Sequence, residues 1–131
     1  HLSIRRQRQM CIRDRGKADM KTARDCLNAG NYYAAAFFSQ QAVEKALKAY
    51  FIIQREDIPP KTHNLLDICL ELGVPEEFLT TARELTPEFI ITRYPNAAGG
   101  VPAELYDERS ATEILEKAER FFKWIKTKIR P

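Results

Sequence analysis

Three separate stretches of this chain hold side chains able to do chemistry. The first runs from Gln41 to Lys48, where Gln41, Glu44, Lys45 and Lys48 recur at three- and four-residue steps. At about 100° per residue, a helix gathers these four on one face roughly 100° wide, with Ala34 and Phe37 beside them. One expectation is a solvated face with Glu44 and Lys48 as an i,i+4 ion pair worth about 0.3 kcal/mol. The other is a polar seam lining a groove or a dimer cleft. The second stretch is His63, which follows Thr62 and the Pro59-Pro60 corner. An imidazole there can act as acid or base, or simply fill the corner as a partly exposed side chain. The third is Ile91-Thr92-Arg93-Tyr94-Pro95-Asn96. The planar fork of Arg93 suits a phosphate and Tyr94 suits stacking on a base. Equally, Arg93 can pair with a carboxylate such as Glu44 while Tyr94 and Pro95 close the end of the fold.

Other chemistries lack their residues. Gly99-Gly100 is not followed by the Lys-Ser/Thr of a phosphate-cradling loop, and no serine sits in a nucleophile elbow. The acidic side chains are scattered along helix surfaces rather than paired for a metal. Cys11, Cys26 and Cys69 are odd in number and far apart, without a Cys-x-x-C, and only His1 and His63 could add imidazole ligands. No metal or cofactor is expected. Cys26 and Cys69 fall among apolar positions and read as small buried thiols of a reducing compartment.

The elements that must position these groups are helices. Ala18, Met20, Ala23, Cys26 and Leu27 form a core-facing stripe, ended by Asn28-Ala29-Gly30-Asn31, with Gly30 suited to the left-handed residue past a helix end. A second helix is expected over 32–54, apolar around most of its girth. Residues 55–61, with paired prolines, make a loop. Thr62 is the expected cap of a third helix over 63–72, stopped by Gly73. Pro75 opens a fourth as its first residue, burying Phe78, Leu79, Ala82 and Leu85. Residues 88–102 read as largely irregular. Asp107 caps a last helix reaching about residue 129, along which Ala111, Ile114, Leu115, Ala118, Phe121, Phe122 and Ile125 align. No segment of useful length has a strand period. The fold class is all-α, an antiparallel up-and-down bundle of four to five helices.

The chain has 131 residues, enough for one domain, with 44% hydrophobic and 30% charged residues, as in ordinary globular proteins. No run approaches the roughly 18 apolar residues of a membrane span, and no apolar secretory stretch opens the chain, so a cytoplasmic protein without a membrane is expected. The net charge of +3 is unevenly placed. Residues 1–17 hold six basic side chains and Asp14, a net of +5, leaving 15 basic against 17 acidic elsewhere, a net of −2. Nucleic acid would therefore need a local patch on the folded body. Residues 1–16 show no helical period, and Arg-Gln-Met-Cys-Ile-Arg-Asp-Arg over 8–15 resembles translated sequencing-adaptor read-through. Against a basic arm touching nucleic acid, the expectation is a disordered or artefactual leader over 1–16 before a domain over 17–131. The leader carries no functional weight.

Taken in order, Ala29-Gly30-Asn31-Tyr32, Ala36-Phe37-Phe38-Ser39-Gln40-Gln41-Ala42-Val43-Glu44-Lys45-Ala46-Leu47-Lys48-Ala49, Thr62-His63-Asn64-Leu65 and Thr92-Arg93-Tyr94-Pro95-Asn96 resemble the HEPN domain (higher eukaryotes and prokaryotes nucleotide-binding) over residues 17–129. The resemblance implies a prokaryotic helical bundle, usually a homodimer, often encoded beside a minimal nucleotidyltransferase in a toxin–antitoxin-like module. It also implies, for many members, a metal-independent ribonuclease built on an Arg followed four to six residues later by a His. Here the Arg is Arg93, but Ala98, Gly99 and Gly100 stand where the His belongs, and no histidine follows. Arginine stays protonated and cannot shuttle protons. The expectation is a non-catalytic member that binds a nucleotide or nucleic-acid phosphate, a partner nucleotidyltransferase, or both, through Arg93, Tyr94, Gln41, Glu44, Lys45, Lys48 and His63. The alternative is an active ribonuclease toxin using His63 with Arg93.

Overall fold

The computed structural model describes residues 3–86 and 106–129. Within them lie five helices, α1 (Ile4–Asn28), α2 (Tyr32–Arg55), α3 (Leu65–Leu72), α4 (Glu76–Leu85) and α5 (Glu108–Lys128), and no strand. The all-α bundle expected from the apolar periodicity is thus observed.

Helix α2 is the axis of the molecule, with Ala35, Ala42, Val43, Leu47 and Ala49 fully buried. A tight turn through Gly30, whose φ of 79° suits a residue without Cβ, sends α2 back along α1. Small residues let these two helices approach closely. A Cβ placed on Gly16 would lie 3.3 Å from the Ala42 carbonyl oxygen and 3.4 Å from the Phe122 ring. On the opposite side, Phe78 of α4 stacks on Phe121 of α5 at a centroid distance of 4.8 Å, and Trp124 completes the cluster against Tyr50 and Phe78.

Helix α1 differs from expectation. It begins at Ile4, capped by the Ser3 hydroxyl, and continues without a break through residue 16. Ala18 is exposed, and the inward stripe instead passes through Ile12, Gly16, Met20 and Ala23. The period was hidden because the innermost position is a glycine, which no apolar pattern registers. Cys26 is half-buried rather than enclosed, whereas Cys69 is fully buried; all three thiols are free.

The shorter helices keep their places with small shifts at the ends. Asn64, not Thr62, caps α3 by accepting from the Leu66 N–H, while the Thr62 hydroxyl accepts from the Asn64 N–H. Pro75 occupies the cap of α4 rather than its first turn, and Leu79 is half-buried. Asp107 and Ser110 form a reciprocal capping box on α5.

The connection from α2 to α3 matters most for the site. Glu56 takes a left-handed conformation (φ 52°), ending α2. The chain then turns back, so that His63 lies against Glu44, about three helical turns before the end of α2.

Candidate functional site

Glu44 is a carboxylate in the middle of the buried helix, with only 6% of its side chain exposed. A charge withdrawn from water must be matched by donors, and three elements of sequence supply them. Gln40, one turn earlier, donates from Nε2 to Oε1 at 3.0 Å. Lys48, one turn later, lies 3.3 Å from Oε2. His63, brought in by the returning loop, places Nδ1 at 3.0 Å from Oε1 and 3.2 Å from Oε2. Gln41 donates from Nε2 to the Gln40 side-chain carbonyl at 2.8 Å, which adds a second amide to the network.

The polar stripe of α2 is therefore a half-covered seam and not a solvated face. Gln40 and Glu44 are buried, Gln41 and Lys48 half-buried, and the imidazole is 72% exposed. Because a carboxylate only accepts, the shared hydrogen sits on Nδ1 of His63. Nε2 then points away from Glu44, and among the described residues it has no partner. The corner-filling role considered for His63 is replaced by this contact.

Lys45 does not join the seam. Its ammonium pairs with Asp19 of α1, which ties the two longest helices together. Arg93 and Tyr94 lie outside the described residues, as do Ala98, Gly99 and Gly100. The described chain on either side is anchored close to the seam: Thr86 accepts from the Leu65 N–H at 3.2 Å, and the ring of Tyr106 lies 6.1 Å from that of Tyr33.

Two features were missed in the sequence. Gln40 is a structural member of the network, and its position four residues before Glu44 was the available signal. Tyr33, 40% exposed, shares the angular sector of Glu44 and Lys48, and together with Phe37, which the spacing already put on this face and which is 45% exposed, it continues the seam as an aromatic surface toward the start of α2.

Among the described residues no cluster of three or more His, Cys, Asp or Glu could hold a metal ion, and no helix is long and apolar enough to cross a membrane. A concavity of about 500 Å³ lies apart from the seam, between the first turns of α1 and the end of α2. All its cations, Arg5, Arg6 and Arg13, come from the basic segment over residues 1–16.

Comparison with known proteins places this geometry in context. The model of the HEPN domain family matches residues 11–128. A Methanocaldococcus jannaschii protein named "Putative toxin MJ1304" is 28% identical over 124 residues, covering 86% of this chain and 82% of that protein. The crystal structure of ST0689, described as an archaeal HEPN homologue, superposes with a TM-score of 0.79 at 30% identity over 94% of this chain and 98% of its own. That of TT1696 from Thermus thermophilus gives 0.78 at 28% identity, over 92% and 98%.

Proposed function

The chain belongs to the HEPN domain family, and on that premise we propose that it is a non-catalytic binding module of a toxin–antitoxin-like pair. Working as a homodimer, it takes up a nucleotide or nucleic-acid phosphate, a minimal nucleotidyltransferase partner, or both. Arg93 grips the phosphate, Tyr94 stacks or braces the turn, and Lys48 adds positive potential. The observation that supports this reading is the seam itself. A buried carboxylate with three donors holds Lys48 and His63 at one edge of the bundle, a rigid polar surface where a solvated stripe would have had mobile side chains. The name of the archaeal relative supports a role in a toxin-type system. The absence of a histidine at 98–100 supports binding over cleavage.

Titration calorimetry with adenosine and uridine nucleotides tests the assignment on wild type and Arg93→Ala. Binding that weakens on substitution is expected. Equal binding, or none in either protein, removes the role given to Arg93.

One observation favours the alternative, a metal-independent ribonuclease. Glu44 holds His63 with its second ring nitrogen outward, the posture of a base awaiting a proton. RNA cut by wild type but not by His63→Ala establishes that reading; intact RNA with both rejects it.

A further inference from the structure

We draw no further inference here: the strongest candidate, the concavity between the first turns of α1 and the end of α2, draws all its cations and its buried, unpartnered Gln9 amide from residues 1–16, whose run over 8–15 resembles translated sequencing-adaptor read-through and so carries no function.

Discussion

Oε1 of Glu44 lies 3.0 Å from Nδ1 of His63, a contact that joins the middle of α2 to a loop residue nineteen positions later. The two side chains are opposites in exposure, 6% for the carboxylate and 72% for the imidazole. The buried partner does the holding and the exposed one meets whatever binds. This asymmetry separates stability from recognition and can be measured.

Glu44→Ala leaves the buried Gln40 amide and the half-buried Lys48 ammonium without their acceptor. A loss of about 1–3 kcal/mol is expected, seen in urea unfolding as a lower midpoint with an unchanged slope. His63→Ala should stay within about 0.5 kcal/mol of wild type, because its side chain can be replaced by water. Equal losses in the two variants would mean that His63 supports the fold.

Gly16 tests whether the early turns of α1 belong to the bundle. A larger side chain there meets the Ala42 carbonyl, which is backbone inside a buried helix and cannot move aside. Gly16→Leu should cost about 1–3 kcal/mol by overpacking, overriding the helix-propensity gain of about 1 kcal/mol. A stabilised variant would show that α1 does not pack as described.

How far the sequence disclosed this arrangement depends on how local each feature is. Helices α2, α4 and α5 were legible because their apolar residues repeat at helical spacing over many turns, and Gly73 and Asp107 end or start helices through their own backbone chemistry. The first turns of α1 were not, since their inward face runs through Gly16 and Gln9 rather than through hydrophobes. Between Thr62 and Asn64, both able to cap, only the path of the loop decides. The seam was half legible. The spacing of Gln41, Glu44 and Lys48 put them on one face, but neither the burial of Glu44 nor its contact with His63 can be read from spacing, because both depend on the loop folding back. Lys45 leaves the seam for the same kind of reason, its partner Asp19 lying on another helix.

Burial pushes the Cys69 thiol up to about 12. Native protein treated with iodoacetamide at pH 8.5 should be alkylated at exposed Cys11 and spared at Cys69, as read by peptide mass spectrometry. The folded state keeps this proton longer than the unfolded chain does, so the stability it contributes is complete below about pH 9 and declines as pH rises toward 12. Rapid modification of Cys69 under native conditions would contradict its burial.

At the start of α5 the sign is reversed. The Ser110 backbone N–H, donating to Asp107 at 2.8 Å, holds the Asp107 carboxyl below its ordinary value. Its stabilising effect is present above the unfolded value near 3.8 and is lost as pH falls through the lower folded one. Asp107→Ala should lower Tm at pH 7, and the difference from wild type should shrink in acid. A pH-independent difference would mean that the carboxylate charge contributes nothing to the cap.

The most direct test of the functional reading is a single incubation of end-labelled, single-stranded RNA with the protein, followed by native and denaturing electrophoresis of the same sample. A retarded complex from which full-length RNA is recovered is the expected result. RNA shortened to fragments ending in 2′,3′-cyclic phosphate, or RNA that is never retarded, would contradict a module that binds phosphate without breaking the chain.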